Sequence, residues 1–147
     1  MERLLVLVAV SLLACTAASI VQRRNYRHSV RTGSPVPVQI HRGDFPHPEI
    51  DWLIAIFTSE SCDACTAVLR SAQSIDSAAV HVAKIDSTKN EKIYKLYDID
   101  AVPLLLLANK NGVVLYYHRG PIPTDQLYKD IEEATEGTLT INSYDTL

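Results

Sequence analysis

Cysteine is scarce in this chain, with three in 147 residues, and that excludes a fold stapled by a disulfide framework. Cys15 lies inside an apolar run, and Cys62 and Cys65 form a lone C-x-x-C. No second such pair and no closely spaced histidine pair accompanies it. Zinc normally takes four ligands, so the scattered His28, His41, His47, His81 and His118 predict no metal site. Only five glycines are present, and none builds a phosphate-binding loop. No nucleophile triad or catalytic carboxylate pair stands out, and nothing calls for a cofactor. The net charge is −3, and acids outnumber bases from Gly33 onward. A mildly acidic domain without a basic stripe predicts no nucleic-acid partner.

What is present begins with an apolar run over residues 4–21, interrupted only by small residues such as Ser11, Thr16 and Ser19. At about 1.5 Å per residue it nearly crosses a hydrocarbon core. Three readings compete. A cleaved signal would use Arg3 as its charged region and Ala14, Ala17, Ala18 or Ser19 at the cleavage site. A lipoprotein signal would use Cys15 in Leu12-Leu13-Ala14-Cys15, but apolar residues continue past it. An uncleaved anchor is favoured by Arg23, Arg24, Arg27 and Arg31, which follow the run closely while Glu2 and Arg3 cancel in front of it. The positive-inside bias then predicts a single-pass protein touching membrane lipid through residues 1–21, with its domain in the cytoplasm. An exported or lipid-anchored domain is the alternative.

Residues 22–35 read as a basic linker ending at Gly33-Ser34-Pro35, and the folded domain is expected over 36–137 with a tail at 138–147. Val38 and Ile40 alternate with polar residues and predict a short first strand; the proline-containing stretch 43–49 predicts a turn or brief helix. Residues 52–57 are continuously apolar, as a strand covered on both faces requires. A helix with Ala64, Val68, Ala72 and Ile75 on one side follows, then a strand over 80–85. Thr88-Lys89-Asn90-Glu91 has the spacing of a capping box, opening a helix with Ile93, Leu96 and Tyr97 on one face. Pro103 interrupts, and strands over 104–108 and 113–117 meet at the turn Asn109-Lys110-Asn111-Gly112. Thr124 is expected to cap a last helix with Leu127, Ile131 and Ala134 inward, ended by Gly137.

The chemistry concentrates at Ser59-Glu60-Ser61-Cys62-Asp63-Ala64-Cys65, a strand-to-helix corner. Thiols three residues apart can close a small disulfide, and a cysteine at a helix N-terminus gains from unpaired N–H groups and the positive dipole end. Both effects favour the reactive thiolate. Glu60 and Asp63 oppose it, which predicts a Cys62 thiol acidified less than that of a strong oxidant.

Strand, C-x-x-C, helix, strand, helix, X-Pro, hairpin and helix follow one another in the order of the thioredoxin fold. With Ala101-Val102-Pro103 and Gly120 in place, the chain resembles the thioredoxin family from about residue 36 to 137. More narrowly it is similar to small bacterial thioredoxin-like proteins with one N-terminal membrane segment. The resemblance implies an α/β domain, a central mixed sheet flanked by helices, carrying a thiol–disulfide oxidoreductase that acts on protein disulfides and dithiols and draws on an unidentified electron donor. Cys62 would be the attacking thiol and Cys65 the resolving one. Pro103 would be the cis-proline against the disulfide, and Val102 would offer its backbone to an extended substrate segment. Ser61 stands where the family usually has Trp, and Asp63-Ala64 replaces Gly-Pro, so the substrate surface differs. Ile56 occupies the place of the family's buried Asp, which leaves proton removal from Cys65 without its usual acceptor; Lys84 matches the buried Lys. A redox-inactive adaptor or a thiol sensor at the membrane is the other reading.

Overall fold

The computed structural model describes residues 35–139. The apolar run at 4–21 and most of the basic linker and of the tail lie outside the described residues. Among the described residues no helix is long and apolar enough to cross a membrane.

Four strands form one sheet: β1 (Trp52–Thr58), β2 (Val80–Asp86), β3 (Leu104–Asn109) and β4 (Val114–Arg119), in the order β2-β1-β3-β4. β2 runs parallel to β1, whereas β3 is antiparallel to β1 and β4 to β3, so the sheet is mixed. Among the described residues three α-helices accompany the sheet: α1 (Asp63–Gln73), α2 (Glu91–Leu96) and α3 (Thr124–Ala134).

β1 is central and buried on both sides, which is why its sequence lacks alternation. Ile54 and Ile56 join Val68 and Ala72 of α1 and Leu127 and Ile131 of α3 in one core. Leu53, Ala55 and Phe57 point the other way, into a second core closed by Ile93, Tyr94 and Tyr97 of α2 and its C-terminal cap. A domain of this size can bury two such layers without covalent staples.

The hairpin turns where Asn109 and Gly112 demand it. The Asn109 side-chain oxygen accepts from the N–H groups of Asn111 and Val113, and Gly112 takes φ +79°, a conformation natural to glycine. α3 ends in a Schellman arrangement: the Gly137 N–H reaches the Glu132 carbonyl at 2.9 Å and the Glu136 N–H the Glu133 carbonyl at 3.2 Å. Glu136, not Gly137, directly follows the cap residue Thr135, and both 136 and 137 have positive φ.

Several local expectations are corrected. The first strand shrinks to one bridge, Gln39 against Val113, and a 3-10 turn follows at Arg42–Asp44. Prolines at 35 and 37 cannot donate to a ladder, and Val38 is left 79% exposed. Thr88 does not cap α2, because its N–H and hydroxyl both donate to the Asp86 carboxylate; the cap residue is Asn90. Leu96 ends the short helix 65% exposed, and Tyr94 takes the inward position instead. Pro123 is the N-cap of α3, while the Thr124 hydroxyl pairs with that of Ser71 on α1 at 2.7 Å.

Candidate active site

β1 ends at Thr58, whose carbonyl accepts from the Ser87 N–H at 2.9 Å and from the Tyr94 hydroxyl at 2.7 Å. That fixes the point from which the chain turns through Ser59, Glu60 and Ser61. The Cys62 N–H closes the turn on the Ser59 carbonyl at 3.2 Å, and α1 begins at the next residue.

Cys62 is the N-cap of α1, in extended backbone conformation. A cap side chain normally offers an oxygen to the orphan N–H groups of the first turn; here a sulfur does so, accepting from the Cys65 N–H at 3.2 Å. Cys62 and Cys65 are joined in a disulfide with Cα atoms 5.4 Å apart. Their exposures differ. Cys62 is half-buried and open to an attacking group, whereas Cys65 is 4% exposed and faces inward with Val68 and Ala72. Ser61, Glu60 and Asp63 are exposed around Cys62, with the Ser61 and Ser59 hydroxyls 3.4 Å apart.

A cavity of about 190 Å³ opens beside the disulfide, with Cys62, Cys65, Thr58, Lys84 and Asp86 among its walls. Ile56 is fully buried, and its register partner Lys84 is exposed, reaching solvent without an acid at position 56. Asp86 opposes Thr58 at the same end of the sheet. Hydrogen bonds from the Thr88 hydroxyl and N–H hold its carboxyl below the usual range, with Lys84 adding a smaller attraction. Sequence reasoning did not assign Asp86, Thr58 or Tyr94 to the site. The only available signal was their position at strand and helix ends beside the motif.

The other expected residues arrive from β3 and β4. The Val102–Pro103 peptide is cis, and Pro103 is buried immediately before Leu104, which pairs with Phe57. The Gly120 N–H donates to the Pro103 carbonyl at 2.8 Å. Val102, Pro103 and Gly120 therefore lie at the same end of the sheet as the sulfur pair, although none of them lines the 190 Å³ cavity. A larger groove of about 520 Å³, walled by Arg42, Tyr97 and Lys110 among others, lies by the start of β1 instead and contains no cysteine. Among the described residues no group of three or more His, Cys, Asp or Glu side chains could hold a metal ion.

The family model for thioredoxin matches residues 47–133, more than half of the chain and both cysteines. The chain belongs to the thioredoxin family. Among solved structures, a point mutant of the thioredoxin from Halobacterium salinarum NRC-1 is 26% identical with a TM-score of 0.52, over 60% of this chain and 78% of that one. A chloroplastic thioredoxin z is 21% identical with a TM-score of 0.52, over 59% of this chain and 80% of its own. Thioredoxin-2 of a malaria parasite, a component of its protein secretion machinery, is 19% identical with a TM-score of 0.51, over 56% and 82%. These last two likenesses speak for the fold alone. No curated protein matches the chain. A thioredoxin domain whose C-x-x-C cysteines form a disulfide at a helix N-terminus has the equipment of a thiol–disulfide oxidoreductase.

Proposed function

We propose that this thioredoxin domain exchanges disulfides with protein substrates from a membrane tether supplied by residues 1–21. The observation that carries the redox reading is the asymmetry of the sulfur pair: one sulfur half-exposed at the helix cap, the other enclosed one turn below it. In the reduced protein the Cys62 thiolate attacks a substrate disulfide. A Cys62–substrate bond forms and one substrate sulfur leaves, taking a proton. Cys65 loses its proton and attacks the Cys62 sulfur, forming the Cys62–Cys65 bond and expelling the second substrate thiol. Two electrons have passed to the substrate, and an external dithiol donor restores the pair. Val102 beside the cis-proline, with Ser61 and Gly120 flanking, supplies the surface on which an extended substrate segment lies.

Reduction of a protein disulfide by the wild type and by Cys62→Ser tests the reaction. The variant should fall to the uncatalysed rate, and Cys65→Ser should accumulate a covalent adduct with its substrate. Equal rates would sink the enzyme reading and leave the second one, an adaptor that presents the thioredoxin surface at the membrane. Ile56 favours that alternative, because a buried apolar side chain stands where the family carries an acid.

The arginines after residue 21 support a cytoplasmic domain, where the pair would act as a reductant or a thiol sensor. A reporter fused after Leu147 that works only outside the membrane would reverse the orientation and make disulfide supply or rearrangement the task.

A further inference from the structure

The loop that delivers the cis-proline is held from three sides. At its start Asp98 has φ +52°, and the Ile99 N–H returns to the Tyr94 carbonyl at 2.9 Å. At its end Pro103 is buried and its carbonyl accepts the Gly120 N–H at 2.8 Å. Between these anchors Arg119 Nη1 donates to Asp100 Oδ1 at 2.9 Å. The Arg119 side chain is only 12% exposed and that of Asp100 37%, so the ion pair is partly withdrawn from water. Arg119 closes β4 opposite Leu104, and Asp100 lies two residues before Val102. The pair therefore ties the end of the outer strand to the segment whose backbone would receive substrate.

We infer that Asp100 and Arg119 are positioning residues which hold the Val102 backbone in register for a peptide substrate. The inference rests on the reading of the domain as an oxidoreductase acting on extended protein segments. Neither side chain belongs to the disulfide or to the walls of its cavity. Their effect is thus on how a chain docks, not on how sulfur reacts. A small disulfide with no backbone to pair needs only the Cys62–Cys65 pair and should be indifferent to the loop.

The test compares two probes in the full chain: a disulfide-linked peptide of about ten residues and a small symmetrical organic disulfide. For Asp100→Asn and Arg119→Gln the peptide KM should rise about fivefold with kcat little changed, as loss of one partly buried ion pair allows, while the small disulfide reacts within about twofold of the wild-type rate. The exchanged pair Asp100→Arg with Arg119→Asp should recover at least half of the lost peptide kcat/KM. An unchanged peptide KM, or equal losses on both probes, overturns the assignment. If Arg119→Gln fails to fold, Asp100→Asn, at the more exposed partner, carries the same comparison; misfolding of both assigns the pair to stability and also overturns it. A wild-type protein inert toward both probes fails earlier, at the oxidoreductase reading itself.

Discussion

The Cys65 N–H points at Cys62 Sγ across the first turn of α1, 3.2 Å away. Once the disulfide is reduced, the same N–H and the helix N-terminus favour the Cys62 thiolate over the thiol. The exposed carboxylates of Glu60 and Asp63 pull the other way. The reduced Cys62 thiol should therefore be more acidic than an ordinary thiol and less acidic than that of a strong oxidant. Ultraviolet absorbance of the thiolate, followed against pH in Cys65→Ser, reads this directly. Glu60→Gln and Asp63→Asn should each move the titration to lower pH. A Cys62 thiol already as acidic as that of a strong oxidant would contradict the assignment.

Tyr94 connects α2 to the ends of β1 and β2. Its hydroxyl donates to the carbonyls of Thr58 at 2.7 Å and Ile85 at 3.2 Å, and its ring meets Phe57 edge-on. Burial is the main reason that its pKa is pushed up to about 12. The folded state thus prefers the protonated phenol more than the unfolded chain does. This contribution to stability is complete below pH 10.0 and disappears as the pH climbs toward about 12. Chemical denaturation across that window should show a loss that Tyr94→Phe lacks. At neutral pH the same substitution should cost about 1 kcal/mol for the missing hydrogen bonds.

An opposite linkage belongs to Asp86. The Thr88 hydroxyl and N–H donate to its carboxylate at 2.6 and 3.0 Å and hold its pKa below 3.8. The folded state therefore prefers the ionised carboxylate. Its stabilising share is present above the unfolded pKa and is lost as the pH falls from there through the depressed folded value. Thr88→Val removes the hydroxyl bond. The carboxyl resonance of Asp86 should then titrate closer to its ordinary range, and the acid limb of stability should flatten. An unaltered titration would mean that the hydroxyl contributes nothing.

The sheet was readable in the sequence wherever one local pattern had no rival. Residues 52–57 are apolar throughout because β1 has a core on either side, and Asn109 and Gly112 announce a hairpin that their backbone bonds then make. The sulfur pair at a strand-to-helix corner was readable for the same reason. Polar residues with a choice of partners were not. Thr88 has the spacing of a cap but finds Asp86 two residues back; Thr124 likewise finds Ser71 on another helix. Arg42 sits in a polar turn between His41 and Asp44. It is buried all the same, and its guanidinium donates to the carbonyls of His47, Ile50 and Asn109. Asp100 and Arg119 are nineteen residues apart, and only the return of β4 beside the proline loop makes them partners. Such long-range pairings leave no periodic trace.

Gly112 and Gly120 both have positive φ, +79° and +88°, and they should respond differently to alanine. A Cβ at Gly112 would fall 1.9 Å from the Ile40 carbonyl oxygen, which is backbone, not a flexible side-chain end. The same neighbourhood carries the Ile40 N–H to Gly112 carbonyl bond of 2.8 Å that seats the first segment of the domain against the hairpin. Around Gly120 nothing lies within 4 Å of an added Cβ, so only the left-handed backbone opposes the change. That term is about 1 kcal/mol, and it sets the expected loss for Gly120→Ala. Gly112→Ala adds a displaced backbone and should lose at least about 2 kcal/mol more, with Ile40 and Phe45 less protected in hydrogen exchange. Denaturant midpoints for the two variants decide the matter. Equal losses would mean that the segment from residue 38 to 40 yields freely and contributes little to the stability of the fold.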